Sequence, residues 1–411
     1  MSLFFSECRH VLKSYIYYVF IAVILLFYIS QVGNFTTADL QELLSPPVRL
    51  DDEVHPAPYG WKRSDPSRET INSAVTNLYR EYSRNSYSTY PFGFHKNVKL
   101  NANEQEQVRV VLEELTDHSV SELDVFWIAR EATWLPVNEN ITMERFSELM
   151  AKLDELLGGG SAYGREGLAR ISLVPKTYEE VVEEWEYMVH KDLITNGLAR
   201  RFCDYLGIVL GIFPIFVAVF MAIKDRRTRM EQAVYSRQAS SAKIVISRYF
   251  ALVIMMILPV ILLGLKETVV ALYFGTSNSY PVDAFAFGRY IFWWLVPTLM
   301  FVTALAIFLT YLTDTPVAIV VGLVLWLFNL NSIRLTGDYP VWGLFVRHNS
   351  LLEANLILEN YGAIWANRLT ISGLALFFIL TTVYVYTMKR GGRLDLVSTL
   401  RKPLGSSKGE L

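Results

Sequence analysis

Tyr15-Ile-Tyr-Tyr-Val-Phe-Ile-Ala-Val-Ile-Leu-Leu-Phe-Tyr-Ile-Ser-Gln-Val32 is eighteen residues long and carries no charge. As a helix rising ~1.5 Å per residue it covers ~27 Å, close to the ~30 Å hydrocarbon core of a bilayer. Five further uncharged runs follow it: Tyr205 to Ile223, Tyr249 to Leu265, Tyr290 to Leu312, Pro316 to Leu330 and Ile371 to Met388. A chain that is 52% hydrophobic and 19% charged, with its apolar residues gathered in this way, is neither a disordered tail protein nor a soluble multidomain enzyme. The reading is an all-α polytopic membrane protein with six transmembrane helices. The first run could act as a secretory signal, but no small-x-small site follows in Gln31-Val-Gly-Asn-Phe35. An uncleaved anchor over 15–32 is therefore expected.

Charge is split along the chain. Residues 33–200 hold 17 Lys and Arg against 28 Asp and Glu, and the rest holds 21 against 12. Basic residues in short loops stay on the cytoplasmic side. Placing both termini there puts Arg9 and Lys13, the loop Lys224 to Arg248 and the tail 389–411 inside. The short outer loops then carry Lys266, Arg289, Arg334, Arg347 and Arg368. The acidic block 33–200 becomes an extracytoplasmic domain between the first span and a five-helix region over 201–388. Cys8 and Cys203 fall at opposite ends of a crossing and cannot pair. An outer domain without a disulfide points to a bacterial rather than a secretory eukaryotic origin.

The outer domain reads as largely helical, α or α+β. Asn103 with Glu106 precedes the apolar series Val108, Val111, Leu112 and Leu115; Thr177 with Glu180 forms a capping box ahead of Val181, Val182, Trp185, Met188 and Val189. A third helix from Thr142 through Phe146, Leu149, Met150, Leu153 and Leu157 stops at Gly158-Gly-Gly160, which reads as a helix stop and flexible loop. The proline-rich stretch 33–68 is expected to be irregular or extended. Tyr82, Tyr87, Tyr90, Phe92 and Phe94 could line a ligand surface or simply pack. His55, His95, His118 and His190 are scattered, and the sequence contains no His-Glu-x-x-His, Cys-x-x-Cys, Gly-x-Ser-x-Gly or Gly-x-x-x-x-Gly-Lys-Ser/Thr pattern. No metal, no cofactor, no catalysis and no nucleic-acid partner are expected of this chain.

The most informative segment is Lys224-Asp-Arg-Arg-Thr-Arg-Met-Glu-Gln-Ala-Val-Tyr-Ser-Arg-Gln-Ala-Ser-Ser-Ala-Lys-Ile-Val-Ile-Ser-Arg248. As a bare basic loop it would only anchor the fold to anionic lipid. Glu231, then Tyr235-Ser-Arg237, then Ser240-Ser241 and a basic re-entering helix resemble the coupling loop of membrane subunits in bacterial ABC exporters of the second permease class, the type V exporter fold. Those subunits are similar to this chain in further respects: an amphipathic interfacial helix before the first span (1–14), a large outer domain, six spans and a re-entrant segment before the last one (340–365). The resemblance implies that a separate cytoplasmic ABC ATPase, which binds ATP and Mg, docks on 226–241. Glu231 and Arg237 would make charged contacts with it, Tyr235 would fill a pocket on it, and Ser236, Ser240 and Ser241 would complete the coupling surface. A second membrane subunit, identical or related, would complete the translocation path in the cell membrane.

Lys266 and Glu267 interrupt an apolar run. Ionisable residues at membrane depth suggest a path or subunit contact; 18 residues beyond Arg248, they could instead anchor the third span at the outer interface, ~27 Å away. Trp293, Trp294, Trp326, Trp342 and Trp365 suit interfacial belts. Two other functional classes compete with the transporter. A sensor whose outer domain binds a ligand and signals through a partner would need that partner, because the tail has no output domain. An intramembrane enzyme would need paired Asp, Ser-His or metal-ligand spacings, which the spans lack.

Overall fold

A computed structural model describes residues 2–33, 36–50, 57–64, 67–91, 94–129, 135–227, 238–331 and 339–393. The chain opens with α1 (Ser2–Leu12), α2 (Tyr15–Phe27), a π-helical turn Tyr28–Val32 and α3 (Thr37–Leu43). Next come β1 (Trp61–Arg63), α4 (Arg68–Arg84), β2 (Tyr87–Thr89), β3 (Lys96–Val98), α5 (Ala102–Thr116), α6 (Val120–Ala129), α7 (Met143–Leu156), α8 (Arg165–Ile171), β4 (Leu173–Pro175) and α9 (Tyr178–Tyr187). A second π-helical turn, Met188–Asp192, leads to α10 (Ile194–Leu210), α11 (Phe213–Arg227), α12 (Ser241–Asn278) and α13 (Ala286–Tyr290). A third, Ile291–Leu295, leads to α14 (Val296–Thr313), α15 (Val317–Asn331), α16 (Ala354–Glu359) and α17 (Tyr361–Arg390). The protein is mostly helical, and its described residues divide into two compact units, one built from Pro47–Glu183 and the other from the segments before and after it.

In the flanking unit, four helices are long and apolar enough to cross a bilayer: Tyr15–Val32, Ser241–Asn278, Ala286–Thr313 and Tyr361–Arg390. Helices α10 and α11, bent by 41° across Gly211 and Ile212, make a fifth if taken as one span. The remaining apolar run forms α15, whose apolar stretch Val317–Leu330 reaches only ~21 Å. Helix lengths thus give four or five crossings, and the sixth expected one is a helix too short to cross alone. These apolar helices mark a membrane protein. On α12, Phe250, Ile254, Leu258, Leu262, Leu265, Val269 and Tyr273 are all exposed at three- and four-residue spacing, so one apolar face is left uncovered along most of the helix. Such a face suits acyl chains rather than water. The opposite face, with Leu252, Met256 and Val260, is buried. α14 packs along α17, α11 against α14, and α1 along α12.

The stretch expected to be irregular between 33 and 68 contains α3, started by a reciprocal capping box between Thr36 and Asp39. Its Leu40, and Leu44 just beyond it, are buried in the core of the membrane unit. That core also takes in residues 188–200, placed in the outer block by their charges: Met188, Val189, Ile194, Leu198 and Ala199 are all buried there.

The second unit is a helical core with two small antiparallel ribbons, β1 with β4 and β2 with β3. Ile71, Val75 and Leu78 of α4 meet Val108, Leu112 and Leu115 of α5 and Phe146, Met150 and Leu153 of α7. Thr142 caps α7 as expected, its side chain accepting from the Arg145 N–H, and Thr177 and Glu180 make their capping box. The cap of α5 is Asn101 with Glu104, two residues earlier than expected. After α7, Gly158, Gly159 and Gly160 all adopt positive φ. A Cβ on Gly160 would lie 2.8 Å from the Tyr90 carbonyl, and the Tyr90 N–H donates to the Gly160 carbonyl at 2.8 Å. The glycine segment is therefore a helix stop held against the β2 ribbon. Tyr87 is buried and Tyr82 packs on the core, whereas Tyr90 and Phe94 are exposed. Burial, reinforced by Glu81, pushes the Tyr163 phenol well above its usual range, and its hydroxyl donates to Glu81 at 2.6 Å.

Candidate functional site

The membrane unit holds a cavity of about 680 Å³ at the end where α10, α13 and α17 begin, a size that fits a small-molecule or headgroup ligand. Its polar wall is set by an unusual backbone. Leu193, between the turn Met188–Asp192 and α10, has φ 64° and ψ 137°, a sparsely populated conformation costing ~1–3 kcal/mol for a residue with a Cβ. The reversal lets Asp192 face Arg200 eight residues on, through two bonds of 2.9 and 2.6 Å. Arg200 is 1% exposed and also donates to the Tyr290 hydroxyl and the Leu351 carbonyl at 3.4 Å, but its Nε has no acceptor among the described residues. Arg289 donates to Asp283 and to Asn196, both at 2.6 Å. Lys191 lies 5.5 Å from the Tyr187 ring centroid, with no carboxylate partner among the described residues.

The second wall is aromatic. Trp293 stands 5.9 Å from Tyr290, 5.3 Å from Tyr361 and 5.5 Å from Trp365, ring centroid to ring centroid. The π-helical turn Ile291–Leu295 carries Trp293 on the cavity side, and its indole N–H is buried without an acceptor. Trp365 lies about 37 Å along α17 from Arg390, a spacing that suits the two ends of one crossing. Trp293 and Trp365, expected in interfacial belts, both line the cavity.

Behind this wall Arg368, 2% exposed, satisfies its guanidinium entirely with neutral oxygens. It donates to the Trp294, Gly343 and Leu344 carbonyls, to Thr298 Oγ1 and to Asn367 Oδ1. Asn367 in turn donates to the carbonyls of Pro340, Val341 and Gly343. The two side chains tie residues 340–344, within the stretch read as re-entrant, to α14 and α17. Nearby, Asp204 is fully buried and accepts from Arg347 Nε at 2.8 Å and the His348 N–H at 2.7 Å. Arg289 and Arg368 were expected in short outer loops and are instead helical residues, and Arg347 is engaged by Asp204.

Lys266 and Glu267 are brought together, but away from the cavity. Glu267 is 2% exposed and accepts from the Tyr28 hydroxyl, while Lys266 donates to both Tyr28 and Glu267 at 2.9 Å. At the other end of the bundle, Ser240 caps α12, accepting from the Lys243 N–H at 3.3 Å, and Ser241 is its first residue. Arg390 donates to the Ala239 carbonyl at 2.7 Å, and Lys389 meets Asp314 at 2.5 Å. Arg248 reaches Glu7 of α1 at 3.4 Å and Tyr311 of α14 at 2.5 Å. Glu231, Tyr235, Ser236 and Arg237 lie outside the described residues. Among the described residues, no three His, Cys, Asp or Glu side chains gather as metal ligands.

The cavity escaped the sequence reading because Arg200 and Arg289 look like ordinary flanking charges. The signal available was an acid and a base on each side of a span start, Asp192 with Arg200 and Asp283 with Arg289. Comparison of the chain with family models, curated proteins and solved structures returns no match.

Proposed function

We propose that the chain is the membrane subunit of an ATP-driven exporter in a bacterial cytoplasmic membrane, coupled through 226–241 to a separate ATPase that binds ATP and Mg. Both termini and the coupling loop face the cytoplasm on this reading, and Pro47–Glu183 faces outward. Six crossings are completed by α10 with α11 as one bent span and by α15 as a short one beside the segment 340–353. A second copy or a related subunit completes the path.

One observation carries the reading: the described end of the loop is fastened to the spans at several points. Ala239 is bonded by Arg390 at the end of α17, Ser240 caps α12, and two turns on Arg248 engages both α1 and α14. A push on such a loop is delivered to at least four helices at once. A loop that merely anchored the fold to lipid headgroups would not need these ties. The Coulomb and hydrogen-bond contacts at this end are partly shielded from water, which raises their worth over surface pairs.

Affinity purification of the tagged full chain tests the proposal, with a Walker-type ATPase expected to co-purify. Glu231→Ala and Arg237→Glu should abolish coupled ATP hydrolysis and weaken association while leaving the amount of inserted protein unchanged. Normal association and normal coupled hydrolysis in both variants would refute the docking assignment. A chain that reproducibly purifies alone would refute the exporter reading.

A further inference from the structure

We infer that the cavity beside α10, α13 and α17 is a binding site for an anionic membrane lipid, with the headgroup on Lys191, Arg200 and Arg289 and the chains against Trp293, Tyr361 and Trp365. The inference rests on the membrane placement of the spans and not on the exporter reading.

The first argument is an inventory of donors and acceptors. The lining holds three cationic side chains and one carboxylate. Both oxygens of that carboxylate, Asp192, are already taken by Arg200. The Asp283 oxygens beside Arg289 are taken as well, by Arg289 and by the Phe285 N–H. Left over among the described residues are donors: the exposed Lys191 ammonium, 5.5 Å from the Tyr187 ring centroid and without a carboxylate partner, and the Arg200 Nε and Trp293 Nε1, buried with no acceptor. A site with surplus donors and committed acceptors favours a ligand with anionic oxygens and disfavours a cation.

The second argument is where the cavity leads. Phe292, Leu358, Tyr361 and Trp365 on its rim are all at least 40% exposed. Below Trp365, Leu369 and Leu376 continue the same exposed face of α17. An aliphatic chain can leave the aromatic wall along this face without meeting a charged group. The basic residues meanwhile stay at interfacial depth, where a headgroup lies. A free anion would use the polar wall alone and leave the aromatic one without a purpose.

Tryptophan quenching tests this directly. The full-length chain in dodecyl maltoside micelles is titrated with dibrominated phosphatidylglycerol and, separately, with dibrominated phosphatidylcholine. Half-maximal quenching by the anionic lipid is expected at a mole fraction about fivefold lower per engaged basic residue, following its preference for an anionic headgroup. Trp293→Phe with Trp365→Phe should remove the selective part of the quenching, and Lys191→Gln and Arg289→Gln should each bring the two lipids closer together. Equal quenching by the two lipids in the unmodified chain overturns the inference, as does unchanged selectivity in Lys191→Gln. Displacement of the anionic lipid by inorganic phosphate at equal concentration also overturns it in favour of a free-anion site. Lys191→Gln breaks no ion pair among the described residues, so it decides the question even if Arg289→Gln, which loses Asp283, fails to fold.

Discussion

Replacing Arg368 with methionine should destabilise the membrane unit by about 2–6 kcal/mol, a figure that comes from following each oxygen the guanidinium now satisfies. Five hydrogen bonds from a charged donor are lost, at about 1.5–3 kcal/mol each. Against this, a buried cation with no carboxylate beside it is removed, which returns several kcal/mol of desolvation. What remains is set by the acceptors left behind. Gly343 keeps the Asn367 amide, and Leu344 keeps the Thr298 hydroxyl at 2.7 Å. The Trp294 carbonyl loses the guanidinium and keeps a 3.4 Å contact from that same hydroxyl, and Asn367 Oδ1 loses its donor. The two acceptors that lose a charged donor, at about 1–3 kcal/mol each, give the estimate. Arg368→Lys should be no better than methionine, since one nitrogen cannot span acceptors on three segments. Thermal unfolding in detergent, followed by intrinsic fluorescence, should register a fall in Tm of about 5–15 °C. Correctly inserted Arg368→Met protein that unfolds within a degree of the unmodified chain would refute the reasoning.

Two further outcomes are expected. Tyr28→Phe should destabilise by about 1–3 kcal/mol, because it removes a hydrogen bond to the buried Glu267, whereas Glu267→Gln should cost under about 1 kcal/mol since an amide still accepts from Tyr28; the reverse order in a chemical-denaturation series would show that the charge itself is required. Cysteines placed at the exposed Lys152 and at Ser407 should label oppositely with an impermeant thiol reagent in intact cells, and labelling of both or neither would break the topology. Ser161 is unsuitable for that experiment, being buried with its hydroxyl donating to Asp154 at 2.6 Å.

Features legible in the sequence were those decided by neighbours along the chain. Thr142 and Thr177 announce their helices because a cap acts within three residues. The start of α5 was displaced because Asn101-x-x-Glu104 and Asn103-x-x-Glu106 offer the same local pattern. The choice between them is made by Asn85, whose side-chain amide bonds both the N–H and the carbonyl of Leu100 and fixes the helix to begin just beyond it. Glu106 is then engaged by Arg109 instead. The membrane helices were found by hydropathy, but α10 begins eleven residues before its uncharged run because Asp192, Arg200 and Asp204 find partners inside the bundle. Hydropathy scores a charge as exposed; only the folded partner shows that it is neutralised. The cavity is hidden for the same reason, since its lining is brought together from three separate segments between Tyr187 and Trp365.

The acceptors of Arg368 all belong to residues made before it or next to it: Trp294 and Thr298, then Gly343 and Leu344, then Asn367. During synthesis these groups reach the bilayer first, and the helix bearing the arginine emerges last. An arginine entering a bare hydrocarbon core on a single helix costs up to about 2.5–3.5 kcal/mol even by the mildest insertion scales. Here it arrives when four of its five oxygens are already in place to receive it. Biosynthetic order thus makes this span depend on its predecessors, and a chain missing residues 286–313 would have to insert α17 without the Trp294 and Thr298 acceptors.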